Sequence, residues 1–228
     1  MKLLHAKIRG WTATFRMPLL YSGTGLTAPV PPYSTILGFI GNLAAREIKP
    51  HETRVGYIFK SSGLAIDMET TQRLKMTGGK LTPQEKGIVK RQFHLNPTLD
   101  IYLDNLDFQD FFENPRNAPS LGRSQDLVWI DAIKYPDGSR KYTEIIEAEN
   151  VSEARIGGTL LPFPQSDVSG QILNLPEYFY NDERGYTRRT GKTSKFVAVK
   201  YENIANISRA DLFKIKDSET AVYLHSIK

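Results

Sequence analysis

Apolar and polar residues alternate from the start of the chain. Leu4, Ala6 and Ile8 share one parity, and after Gly10 the apolar parity passes to Trp11, Ala13 and Phe15. A period of two predicts a strand, and a change of parity at a glycine predicts a bulge. Residues 17–32 carry Pro18, Gly23, Gly25, Pro29, Pro31 and Pro32 and read as a loop. The period then changes. Ile36, Leu37, Ile40, Leu43 and Ala44 recur at helical spacing, Ser34 is placed to cap the helix, and Pro50 closes it behind Ile48. Gly38 and Gly41 lie inside this helix at a cost of about 1 kcal/mol each relative to alanine. Close approach of backbone or ligand to that face is therefore expected.

Strand patterns follow over 54–68, with a turn at Ser61-Ser62-Gly63, and over 92–103, where Phe93, Leu95, Leu99, Ile101 and Leu103 share a parity. Between them, about 70–90 reads as a polar hairpin excursion centred on Gly78-Gly79. Asp104 or Asn105 can cap a short helix through Phe112, ended by Pro115, and 127–133 is a further strand. The order strand, helix, strand, strand, helix, strand predicts an α+β fold, a ferredoxin-like βαββαβ unit over residues 1–134, the architecture of RNA-recognition (RRM-like) folds. Residues 135–228 show short strand patterns at 142–146, 172–178, 196–201 and 221–225, and are expected to form a smaller, mostly β module. Fold alone leaves function open.

At 228 residues, one large domain or two small ones are expected. The chain has no cysteine, which excludes disulfides, thiol catalysis and Cys-based zinc sites. His5, His51, His94 and His225 form no metal-ligand spacing. Gly185 and Gly191 precede Lys192-Thr193 with one residue too many for a phosphate loop, and a strand pattern follows where a helix should start, so nucleotide hydrolysis is rejected. No metal or cofactor is expected. No apolar stretch is long enough to span a bilayer and the N-terminus lacks a signal-peptide core, so a cytoplasmic protein with no membrane partner is expected.

The net charge of +5 changes the picture through its distribution. Arg73, Lys75, Lys80, Lys86, Lys90 and Arg91 face only Glu85 between residues 70 and 97, and Arg184, Arg188, Arg189, Lys192, Lys195 and Lys200 face no acid between 184 and 200. Asp100, Asp104, Asp107, Asp110 and Glu113 stand in a stretch without Lys or Arg. Two basic segments beside an RNA-recognition fold point to a polyanion.

Two strings carry more. Pro31-Pro32-Tyr33-Ser34-Thr35-Ile36-Leu37-Gly38-Phe39-Ile40-Gly41 enters the first helix, and Leu121-Gly122-Arg123-Ser124-Gln125-Asp126-Leu127 enters the fourth strand. Together, in this frame, they resemble the CRISPR-associated Cas-five family of repeat-associated RNA-binding proteins, and look nearest its subtype I-B branch. The resemblance implies a subunit of a Cascade effector complex that holds the 5′ handle of the crRNA, in antiviral defence, and a non-catalytic one is expected because the loop 114–120 carries no histidine or lysine. It implies a ferredoxin-like palm, a hairpin thumb at about 70–90, and contacts with the Cascade backbone subunit and large subunit.

An unpaired handle calls for cations, backbone donors and stacking platforms. Ser34 and Thr35 at the helix entrance are a candidate phosphate seat. Gly122 brings backbone close, and Arg123 and Ser124 offer donors, with an internal ion pair the competing role for Arg123. Arg73, Lys75, Lys90 and Arg91 charge the thumb and its root, and Arg16 and Arg116 flank the two signature segments. Tyr21 and Tyr33 are candidate stacking rings, with core packing as the alternative. Two other functions stand beside this one. A relative, the subtype I-C branch, is a metal-independent endoribonuclease that trims precursor crRNA, which here would draw on His51 or His94. A ferredoxin-like domain with a purely protein partner would show no salt-dependent RNA affinity.

Overall fold

The computed structural model describes residues 1–17, 23–135, 137–165, 168–182 and 187–227. In chain order the first elements are β1 (Lys2–Gly10), β2 (Thr12–Ala13), β3 (Thr24–Gly25), α1 (Tyr33–Ala44), β4 (Val55–Lys60), β5 (Gly63–Thr77), β6 (Lys80–Leu95), β7 (Thr98–Leu103), α2 (Gln109–Glu113) and β8 (Val128–Ile130). They are followed by β9 (Ile133–Lys134), β10 (Arg140–Lys141), β11 (Glu144–Ile156), β12 (Thr159–Pro162), β13 (Gln171–Pro176), β14 (Phe179–Asn181), β15 (Arg188–Thr190), β16 (Thr193–Val199), β17 (Ala205–Ile215) and β18 (Ala221–Tyr223).

The alternation in β1 is used on both faces. Leu4, Ala6 and Ile8 enter the main core with Tyr33, Ile36, Ile40 and Leu43 of α1. Leu3, on the other parity, joins Tyr102, Ala148, Phe213, Val222 and Leu224. Burying each such aliphatic side chain contributes about 1.5–3 kcal/mol, which fixes β1 at the centre. β7 and β8 pair antiparallel with it, and β4 pairs with β7, giving the order β8-β1-β7-β4. Gly10 ends the strand where the chain changes sheets. A Cβ there would lie 2.7 Å from Val128, and two residues on, Thr12 pairs with Leu95 of β6 instead.

The boundary expected after residue 134 does not divide the core. β11, β17 and β18 extend the same sheet beyond β1 in the order β18-β17-β11-β1-β7-β4. The sheet then closes on itself: Val55 donates its N–H to the carbonyl of His225 at 3.0 Å, and His225 returns one at 2.9 Å. Gly56 permits this, since a Cβ would stand 2.9 Å from the carbonyl oxygen of Tyr223. The sheet β12-β16-β13 contributes Leu160, Leu173, Leu175 and Phe196 to the main core beside Tyr33. Among the described residues no helix is long and apolar enough to cross a membrane.

Several expected boundaries move. Ser34 is not the cap of α1. The helix starts at Tyr33 behind Pro32, whose φ of −58° is already set for a helix start, and no side chain caps it. Its end falls at Ala44 rather than Ile48. Ala45 turns left-handed (φ 53°), Ala45 N–H bonds to Asn42 and Arg46 N–H to Gly41, a Schellman closure. Gly41 is required by that closure, because its Cβ would meet the Arg46 carbonyl at 2.7 Å. The strand expected over 92–103 is cut at Asn96 (φ 45°) and Pro97 into β6 and β7. The expected 70–90 excursion is the outer part of a longer hairpin, β5–β6, paired from Gly63–Leu95 to Thr77–Lys80.

Candidate nucleic-acid interface

Strong cross-strand alternation and a tight turn build the hairpin. Gly78 (φ 57°) and Gly79 (φ 75°) form a two-residue loop with both residues left-handed, the turn that matches strand twist. Directly paired residues share a face. On one face Leu64 opposes His94, Ile66 opposes Gln92, Met68 opposes Lys90 and Thr70 opposes Ile88. Ile66, Met68 and Ile88 on that face are about two-thirds exposed. The other parity of β5 carries Asp67, Glu69, Arg73 and Lys75, the last two exposed. The hairpin is therefore apolar with lysines on one side and charged on the other.

At its root an arginine cluster sits on the charged side. Glu69 accepts from Arg123 at 2.6 Å and lies 2.7 Å from Arg91. Arg123 also grips Asp126 with Nε at 3.0 Å and Nη2 at 2.9 Å, and its guanidinium lies 6.0 Å from the Phe93 ring centre. Asp126 is fully buried, and Thr12 donates to it at 2.7 Å. Burial opposes its charge, but the hydrogen bonds from Arg123 and Thr12 outweigh burial and hold its carboxyl below the ordinary range. Gly122 (φ 106°) lies against the backbone just after β2; a Cβ there would come 1.9 Å from the Thr14 carbonyl oxygen. Ser124 is exposed beside it. Arg16, bridged to Thr27, and Lys90, beside β3, are also exposed near the root, Lys90 on the apolar side of the hairpin. Tyr21 lies outside the described residues, as does Arg184 of the second basic segment.

The helix entrance is a separate place. Ser34 is buried and lines a cleft between α1 and the β14–β15 hairpin, with Gly38 and Arg188. A Cβ on Gly38 would stand 3.8 Å from Arg188 Nη2, an ordinary contact, so the close approach expected at this glycine is not required there; the Arg188 guanidinium lies 4.6 Å from the Phe179 ring centre. The Pro32 carbonyl already accepts from the N–H groups of Thr35 (2.9 Å) and Ile36 (3.2 Å). Arg116 is exposed at the other end of α1, where its N–H bonds to Leu43. Residues 114–121 run from that far end of α1 to the Arg123 loop: Asn42 donates to Ala118, and Leu121 accepts from Thr14 at 3.4 Å. Among the described residues no hydrogen bond or ion pair joins Ser34 or Thr35 directly to the Arg123 cluster. Tyr33 is a core ring. It is 1% exposed, donates to the Leu160 carbonyl at 2.8 Å and stacks on His225 at 4.3 Å.

Sequence reasoning missed two features at the root. Trp11 and Trp129 are both exposed and meet edge to face at 5.9 Å; as the only tryptophans of the chain, their exposure runs against type. Lys60 and Lys200 converge on a cavity beside His94. Lone lysines make no motif, and the tryptophans are visible in the sequence as residues but not as surface.

No family model and no curated protein matches the chain. Solved structures do. A CRISPR protein from Archaeoglobus fulgidus has a TM-score of 0.47 at 8% identity, over 99% of this chain and 100% of that one. A chain of a Type III-B Cmr-beta complex bound to cognate target RNA has a TM-score of 0.49 at 11% identity, over 92% and 86% of the two chains. A chain of a CRISPR RNA-guided surveillance complex superposes with a TM-score of 0.55 at 13% identity, over 90% and 91%. By this last match the chain has the fold of a subunit of a CRISPR RNA-guided surveillance complex.

Proposed function

We propose that this protein is a Cas-five type, non-catalytic subunit of a Cascade effector complex, with the β8-β1-β7-β4 sheet and its helices as a ferredoxin-like palm and the β5–β6 hairpin as the thumb. Its task is to hold the 5′ handle of the crRNA and to contact the backbone and large subunits. The observation that carries this reading is the hairpin itself: a long arm between the second and third strands of the palm, bearing exposed Arg73, Lys75 and Lys90. Unpaired RNA binds such a surface through phosphates and through apolar platforms for its bases. The fold shared with a CRISPR surveillance-complex chain supports the same reading.

The non-catalytic reading rests on His94, the histidine at the hairpin root; His51, exposed after the first helix, is the residue through which the endoribonuclease alternative would act. His94 has both ring nitrogens occupied, by Ser61 at 3.1 Å and the Ala28 carbonyl at 2.8 Å, and burial holds its pKa below the ordinary histidine value. A general base for RNA cleavage needs a free nitrogen beside the 2′-OH. The test is binding of single-stranded repeat RNA by fluorescence anisotropy across a salt series. Wild-type protein is expected to bind with a steep negative salt slope, without cleaving the RNA, and R73E/K75E to lose about tenfold or more and flatten the slope. Salt-independent or absent binding would refute the assignment.

A further inference from the structure

The cavity beside His94 has a composition that the hairpin alone does not explain. It is about 490 Å³, within the usual range of about 300–1,000 Å³ for small-ligand clefts, and lies at the foot of the apolar side of the hairpin, between the end of β4, the root of β6 and the turn at Lys200–Glu202. We infer that this cavity takes one unstacked nucleotide of the bound RNA, with its base inside and its phosphate at Lys60 and Lys200. The inference rests on the RNA-binding reading above and deepens it.

The polar groups are set in a definite way. His94 Nε2 faces the Ala28 carbonyl, an acceptor only, so Nε2 carries the proton and Nδ1 is the acceptor. Ser61 must then donate its hydroxyl proton to Nδ1, which leaves the Ser61 oxygen to accept from a ligand. Gln92 accepts the Thr27 N–H through Oε1 at 3.3 Å, which leaves its amide Nε2 to donate. A base edge with an amino group and a carbonyl meets that pair. Leu26 and Leu64 supply an apolar wall, each more than one-third exposed and therefore poorly buried without an occupant.

Charge completes the match. Among the described residues neither Lys60 nor Lys200 has a carboxylate within ion-pair distance, and Lys60 Nζ instead sits 4.0 Å from the Tyr201 ring centre. Glu202 is the one acid of the described lining, so two cations outweigh it. Placement agrees as well: Leu64, Gln92 and His94 lie on the same hairpin face as Ile66, Met68 and Lys90. A strand of RNA following that face arrives at this cavity.

The test uses the full chain, a labelled single-stranded octaribonucleotide and anisotropy at low and high salt. Two variants probe the cavity: K60A/K200A removes the charge, and Ser61→Trp fills the volume without changing charge. Each is expected to weaken binding about tenfold while the thermal melt stays that of the wild type. If Ser61→Trp disturbs folding, Gln92→Leu removes the amide donor at nearly constant volume and gives the same test. If wild-type protein binds RNA and either variant binds as tightly, the cavity is not a nucleotide site, and the RNA-binding reading stands. If wild-type protein binds no RNA, both fall together.

Discussion

Arg123 is held by internal contacts rather than presented to solvent. Its guanidinium is spent on Asp126 and Glu69, so the competing role weighed from sequence, an internal ion pair, describes its contacts. Asp126 has no exposure and would be left as an unpaired buried charge by Arg123→Ala. Breaking a buried pair from one side costs about 3 kcal/mol or more. In a chain of this size that is roughly 6–12 °C of Tm. A melt of Arg123→Ala within about 2 °C of wild type would contradict the anchoring role. Loss of RNA affinity in this variant is expected as a consequence, because the 121–124 loop loses its link to Glu69 at the hairpin root.

A second residue-scale prediction concerns pH. His5 lies between Asp100 at 3.1 Å and Glu144 at 2.7 Å. Burial disfavours its charged form, but the two carboxylates outweigh burial, and the pKa is raised above 6.5. A raised folded-state pKa gives stability that is fully present below the unfolded value and is lost as pH rises through the folded one. Urea midpoints should therefore fall as pH rises above about 6.5 in the wild type, and this part of the slope should vanish in His5→Gln. An unchanged slope in the variant would remove His5 from the titration.

At the scale of elements, legibility follows local physics. The helix α1 is readable because its apolar spacing is undiluted, and the hairpin turn because Gly78-Gly79 has one structural use. The long strands β11 and β17 are not. β11 buries only Ala148 and Ile156 along thirteen residues, and its register against β17 shifts between Val151 and Glu153, so no single parity survives in the sequence. The Arg123–Glu69 pair spans 54 residues, and nothing local to either residue announces the other. The apolar face of the hairpin reads in the sequence as a polar excursion, since Leu74, Met76 and Leu81 are separated by polar residues and become a stripe only when β5 and β6 pair. Those three side chains are 57%, 68% and 64% exposed, so they contribute little to folding. Replacing residues 74–86 by Asn-Gly should leave Tm nearly unchanged while lowering RNA affinity and impairing assembly with the backbone subunit. Normal assembly and affinity in that variant would contradict the assignment of the hairpin as a thumb.

At the scale of the molecule, the consequence of a closed sheet is cooperativity. A palm followed by an independent β module would unfold in two steps, and residues 1–134 would fold alone. The structure argues for one step. The strand that neighbours β1 on its free side comes from residues 144–156, and the pairing that closes the sheet comes from His225, near the end of the described chain. The core around Tyr33 draws Leu160, Phe196 and Ile227 from the second half of the sequence. Polar contacts tie the same region together: buried Glu177 accepts from Ser194 and pairs with His225 at 3.0 Å. Removing residues 135–228 would expose one edge of β1 and strip the main core of its second wall, and a half-sheet of that kind has too little buried apolar area to offset chain entropy. Calorimetry of the full chain should give a single transition whose van't Hoff and calorimetric enthalpies agree, and the 1–134 fragment should lack near-UV dichroism. Two resolved transitions, or a folded fragment, would show that the second half is a separate module after all, and would leave the shared core described here without energetic weight.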